Sequence, residues 1–189
     1  MKKFIFTILA LLFSQMNSFS EEIHFDNEVY KLRFSAISPQ TQGYGNEYFK
    51  ENEDVSNWNK MIGIYYYPNE DNPIQYTEDF GDEAENTENS VLLKIVENKK
   101  ANKAVISLLV NGEENSKKYF EYDIYKFEKH PSKGMMVSKY AIKYNFNNES
   151  EIANIVQQVK ENNDKYFELF IISQTPSVIE KDISSESFS

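Results

Sequence analysis

The chain has no cysteine. That excludes disulfide stapling, thiol catalysis and lipid attachment through an N-terminal cysteine. Glycine is scarce, six in 189 residues, and neither G-x-x-x-x-G-K nor G-x-G-x-x-G occurs, so phosphate-cradling loops are not expected. Only His24 and His130 supply imidazoles. With no H-E-x-x-H, no H-x-H and no G-x-S-x-G elbow, zinc hydrolysis and Ser-His-Asp chemistry have no recognisable scaffold. Arg33 is the single arginine, and the formal charge is -10. Such a surface repels phosphate backbones and has almost no bidentate phosphate binder, so nucleic acid is not an expected partner. No cofactor and no metal ion is expected either, because the acidic runs do not match the D-x-[DN]-x-[DN]-G calcium loop.

One long apolar run is present. Phe4 to Phe13 follows Lys2 and Lys3 and precedes Ser18-Phe19-Ser20, the order of basic start, apolar stretch and small-x-small site found in secretory signal peptides. The run is too short to span a bilayer as a helix, which takes about 20 residues. The expected organisation is a signal peptide over 1–20, a single α+β domain over 21–180 and a disordered tail over 181–189. The mature protein would then be periplasmic or secreted, with no membrane-spanning segment left. Loss of Lys2 and Lys3 takes the net charge from -10 to -12, which keeps an exported protein soluble by self-repulsion.

Periodicity gives the fold class. Val91 to Phe146 reads as four successive strands, VLLKIV, AVISLLV, YFEYDIYKF and MMVSKYAIKYNF, joined by polar turns in an antiparallel meander. The first two are nearly continuous apolar runs, the pattern of central strands covered on both faces. The last two alternate, with Tyr140, Ile142, Tyr144 and Phe146 on one side and Lys139, Ala141, Lys143 and Asn145 on the other. Upstream, Val29 to Ala36 and Met61 to Tyr67 read as strands. Glu21 to Asn27 reads as a loose lead-in, Ile37 to Gly45 as a loop, and Asn46 to Lys60 gives no clear period. Asn72 can cap a short helix that opens on Pro73 and presents Ile74, Thr77, Phe80 and Ala84. A second helix starts at Asn148-Glu149-Ser150-Glu151, a capping-box arrangement, carries Ile152, Ile155, Val156 and Val159, and ends near Asn162-Asn163. Lys165 to Ser173 reads as a last strand. The expected order is β-β-α-β-β-β-β-α-β, an α+β fold with helices packed on one antiparallel sheet, sandwich-like.

Carboxylates cluster at Glu47, Glu51, Glu53 and Asp54, and again from Asp79 to Glu88. A chain with 30 acidic residues produces such clusters without catalysis. Tyr65-Tyr66-Tyr67 cannot all face one core, since strand neighbours alternate. The candidate binding residues are Glu47, Tyr48, Trp58 and Tyr66, in a polar, aromatic-bearing segment that core packing alone does not account for. The plainer reading of Trp58 is as the core anchor of the N-terminal half.

At Asn46-Glu47-Tyr48, Glu53, Asn57-Trp58 and Met61-Ile62, the chain resembles a group of uncharacterised exported bacterial proteins. The resemblance implies export and no particular activity. The element order is also similar to the sandwich of the photosystem oxygen-evolving accessory protein and of the nuclear-import factor that binds Ran, proteins that act by binding or assembly. The leading expectation is an exported, non-catalytic protein that binds a protein or cell-envelope component. The alternatives are a small carboxylate-dependent hydrolase of glycan or peptide, and an acidic inhibitor or immunity protein directed at a basic partner.

Overall fold

The computed structural model describes residues 21–180; the expected signal peptide and the tail from 181 lie outside the described residues. Eight strands form one antiparallel sheet: β1 (Glu22–Phe25), β2 (Glu28–Ile37), β3 (Tyr44–Phe49), β4 (Lys60–Tyr67), β5 (Ser90–Asn98), β6 (Lys103–Glu114), β7 (Lys117–Lys129) and β8 (Met135–Phe146). Their order across the sheet is β1-β2-β3-β4-β8-β7-β6-β5. Helix α1 (Pro73–Glu85) and helix α2 (Ile152–Ile172) complete the α+β fold. The meander β5–β8 and the two helix starts are as expected. Asn72 Oδ1 caps α1 by accepting from the Gln75 backbone N–H, with Pro73 in the first turn. Asn148 Oδ1 accepts from Ser150 N–H ahead of α2, and the Glu151 carboxylate accepts from Asn147 N–H.

Four expectations fail. The first apolar run of the meander, Val91 to Val96, is not a central strand but lies in β5, the outer strand of the sheet; apolar composition reports content and not neighbours. Glu22–Phe25 is a strand, closed onto β2 by a two-residue turn in which Asp26 and Asn27 both take positive φ, the conformation that matches the twist of a hairpin. Tyr44–Phe49 is also a strand, between β2 and β4; its Gly45 and its inward Asn46 break the apolar alternation. Lys165–Ser173 is not a strand. Helix α2 runs on through it to Ile172 because Asn162 and Asn163 find partners instead of ending the helix. Asn162 donates to Gln158 O, and Asn163 Oδ1 accepts from Tyr122 OH at 2.8 Å and Ser107 Oγ at 3.0 Å. Val159, Tyr166, Phe167 and Phe170 then fall on one buried stripe.

The sheet is covered on both faces. On one, α2 lays that stripe over Tyr30, Tyr48, Ile62, Ile64, Tyr122, Ile124 and Tyr140. The chain beyond α2 crosses the same face. Asn46 is wholly buried there, donates to Ser35 Oγ and Ile179 O, and accepts from Ile179 N–H. Lys126 donates to Ser173 O and Phe170 O at the C-terminus of α2, where a cation meets unsatisfied carbonyls. On the other face, α1 covers only the β5–β6–β7 side, packing Ala84, Phe80 and Tyr76 on Ile106, Leu108, Phe127 and Val137.

Candidate functional site

The face that carries α1 has an uncovered middle, and strand register places its floor. Glu47 on β3 stands opposite Gly63 on β4, Gly63 opposite Lys139 on β8, and Lys139 opposite Tyr125 on β7. Residues at odd positions along β7 share this face, so Tyr119, Glu121 and Asp123 join Tyr125. Gly63 has no side chain, and the Tyr65 ring lies across it: a Cβ there would sit 2.4 Å from the Tyr65 hydroxyl oxygen. That placement lets Tyr65 OH donate to Glu47 Oε1 at 3.1 Å. Tyr119 lies across Gly112 in the same way.

Lys139 is the centre of this floor. Its Nζ is 2.7 Å from Glu121 Oε1 and 3.2 Å from Asp123 Oδ1, and lies over the Tyr125 ring. Tyr125 OH donates to Asp123 Oδ2. Asp123 is 4% exposed. Burial pushes its carboxyl up to about 7, against the pull of Lys139 and with the help of the neighbouring Glu121 charge. Burial alone would lower the Lys139 amine, but the carboxylates of Asp123 and Glu121 outweigh it and hold that amine well above the usual lysine range. Burial also raises Glu47, partly opposed by the Tyr65 hydrogen bond.

Beside this floor, between α1 and the sheet, is a cleft of about 260 Å³ lined by Tyr65, Tyr67, Tyr76, Phe80, Tyr125, Phe127, Val137 and Lys139. Its walls are aromatic pairs: Phe80 meets Tyr125 edge-on at 5.1 Å, and Tyr76 meets Phe127 at 5.5 Å. At the far side of the floor, Trp58 packs against Phe49, Met61 and Ala141. The Lys143 amine lies over both the Trp58 and Tyr119 rings, 4.2 and 4.8 Å from their centroids, and 3.2 Å from Glu114 Oε2.

The four residues singled out from sequence are thus divided. Glu47 and Trp58 lie on the uncovered face, at the two ends of its polar floor. Tyr48 is wholly buried under α2, so its ring is a core anchor and presents nothing to a partner. Tyr66 is on the α2 face, stacked on Tyr44, beside His130, with its hydroxyl donating to Lys133 O. Trp58 is half-buried and anchors a small cluster, which is what the core reading expects. The sequence pattern does not single out Tyr65, Glu121, Asp123, Tyr125 or Lys139. Their signal was the alternation Tyr119-x-Glu121-x-Asp123-x-Tyr125 opposite Lys139 and Lys143, which reads as a strand's wet side. The acidic runs disperse: Glu51 pairs with Lys31, Glu53 accepts from Asn59, and Asp54 closes a turn onto Ser56 and Asn57. Among the described residues no group of three or more His, Asp or Glu is placed to hold a metal ion, and no helix is long and apolar enough to cross a membrane.

A protein-family model matches residues 18–174, most of the chain, and the protein belongs to that family, which is uncharacterised. No curated protein and no solved structure matches the chain.

Proposed function

We propose that this is an exported protein of the cell envelope that acts by binding, and that the uncovered face between α1 and Trp58 is its contact surface for a protein or envelope component. The observation that carries the reading is the aromatic cleft opening beside Lys139. Its tyrosines and phenylalanines offer apolar area that costs little conformational entropy, and the charged floor next to it fixes orientation, the pairing of features found at recognition sites. The carboxylates argue against catalysis. Glu121 and Asp123 share one ammonium group, Asp123 is nearly sealed from solvent, and Glu47 is held by Tyr65. That leaves no gap between two free carboxyls in which a scissile bond could sit.

A photo-reactive residue in place of Tyr76, which lines the cleft, should cross-link a component of the envelope extract in high yield, and one in place of Ile172 on the opposite helix should not. Equal capture from both positions would remove the support for this face. The hydrolase reading has one observation in its favour, the neighbouring pair Glu121 and Asp123 with one carboxyl raised. It predicts turnover of a chromogenic glycoside or peptide that disappears in Glu121→Gln, with folding intact by circular dichroism.

A further inference from the structure

β5 has the composition of a strand covered by neighbours on both sides, yet it is the outer strand of the sheet. Its nine residues include Val91, Leu93, Ile95 and Val96, which are 57%, 37%, 39% and 42% exposed. The opposite edge, β1, is only four residues long. Long apolar edges invite pairing with another strand, and proteins that must stay apart blunt them with outward charges, proline or bulges. β5 has no proline. Its two inner charges are engaged within this chain: Lys94 lies 2.7 Å from Asp164 and over the Phe167 ring of α2, and Glu97 pairs with Lys99. Its bulge lies between Leu92 and Lys94, which leaves the stretch from Lys94 to Asn98 regular.

The two ends of this edge carry opposite charge. Leading into β5 are the exposed Glu83, Glu85 and Glu88; leading out of it are Lys99 and Lys100, with Lys103 across the turn. Lys99 and Lys103 touch their own chain at Glu97 and Glu128 but keep 74% and 52% of their side chains exposed. An edge that is acidic at one end and basic at the other is complementary to itself when two copies pair antiparallel. We propose that β5 is the docking edge for a second copy of this chain. The two β5 strands pair about a two-fold axis close to Ile95 and join the two sheets into one. Ile95 then faces its own counterpart, Lys94 faces Val96, and Lys99 and Lys100 of each copy fall opposite Val91 and Ser90 of the other, next to its Glu88. Such an interface is isologous and closes at two copies.

Charge reversal at both ends tests this. The purified protein should sediment as a dimer at a concentration on the order of tens of micromolar, as a small strand-to-strand interface implies, and should shift toward monomer as salt is raised. Lys99→Glu/Lys100→Glu should be monomeric, and so should Glu85→Lys/Glu88→Lys. Mixing these two variants should restore a dimer, because each basic end again meets an acidic one. Since the chain has no cysteine, Ile95→Cys supplies a directed probe. Opposed residues of an antiparallel pair have Cα atoms about 4.5–5.5 Å apart, within disulfide reach. Ile95→Cys should therefore form a disulfide-linked dimer on mild oxidation, far faster than Ile172→Cys, whose parent side chain is 77% exposed. A monomer at every concentration overturns the proposal. So does a dimer that survives both charge reversals, and so does one that cross-links through position 172 in preference to 95.

Discussion

Asp123→Asn isolates the electrostatic cost at the centre of the uncovered face. The Asp123 carboxyl is pushed up to about 7 from an ordinary 3.8. The native state therefore holds this proton more tightly than the unfolded chain does. The group's contribution to stability is full below pH 4 and is lost as pH rises through about 7. The loss amounts to about 1.4 kcal/mol per pH unit across that window, or about 4 kcal/mol in total. The attraction of Lys139 is already contained in the shifted value, so this is the net penalty of ionising a carboxyl out of contact with water and next to Glu121.

Asparagine has the shape of the protonated acid and no charge to desolvate. It can still accept from Tyr125 OH and Lys139, and Lys139 keeps Glu121 at 2.7 Å. The variant should be only about 1 kcal/mol more stable than the wild type at pH 4.5, where the unfolded acid is already mostly ionised. With rising pH the wild type should fall further behind, until near pH 8 the variant is the more stable by about 3–4 kcal/mol. Urea unfolding at pH 4.5, 6, 7 and 8, at one ionic strength, reads this as a midpoint difference that widens with pH at constant m. A difference that stays constant within about 0.5 kcal/mol across the series would refute the reasoning. A variant that loses stability relative to the wild type as pH rises would show that the Lys139 pairing outweighs burial.

Asn46→Ala should cost about 2–4 kcal/mol, since it strands Ser35 and both backbone groups of Ile179 in the interior; hydrogen exchange should show amides 175–180 opening first, and unchanged protection there would count against the pinning role. Burial holds Tyr30, Tyr65, Tyr122, Tyr125 and Tyr140 above the ordinary tyrosine value, with Tyr48 and Tyr144 pushed up to about 12. Their folded-state values exceed the unfolded ones, so stability falls as pH rises above 10. The phenolate absorbance of these side chains should appear together with the loss of far-ultraviolet ellipticity rather than before it. Burial would raise Glu28, but hydrogen bonds from Lys50, Lys60 and Tyr30 outweigh it and hold the carboxyl down at about 2. Glu28→Gln should thus cost about 1–2 kcal/mol above pH 5, discounted for partial exposure, and the gap should close as pH falls toward 2. Replacing Glu121, Asp123 and Lys139 together by Leu, Leu and Met should leave stability at pH 7 unchanged or raised by about 1–4 kcal/mol; a large loss in a melting experiment would make the cluster a stabilising element.

The meander and the two helix starts were legible because each has a local signature: alternation, a capping asparagine, an apolar stripe. The rest depended on partners far away in sequence. Asn162 and Asn163 read as a helix end until Tyr122 and Ser107, on strands some forty and fifty-six positions earlier, are seen to occupy Asn163. Asn46 opens a stretch without a clear period because nothing near it reveals that Ile179 folds back onto it. β5 reads as central because composition reports apolar content and not neighbours. The site was legible by halves for the same reason. Glu47 and Trp58 stand out in a segment that core packing does not account for, whereas Lys139 and Asp123 look like the wet side of two strands. Only the register that sets β7 against β8 turns that side into a buried cluster.

The contrast between the two buried polar groups bears on where function lies. Asn46 sits under α2 with its amide bonded on both ends, and its task is complete: it ties the crossing segment to β2 and β3. Glu121, Asp123 and Lys139 lie on the part of the α1 face left open beside that helix, next to an aromatic cleft, and hold two carboxyls against one ammonium. A salt-bridged trio of this kind is weak evidence for stability, because apolar residues of similar volume fill such a space as well or better. Its charges are intelligible if they meet something. On this fold the α2 face is accounted for by packing, and the proposed pairing would account for the β5 edge. The floor from Glu47 through Lys139 to Trp58 is the part of the molecule whose chemistry exceeds what folding requires.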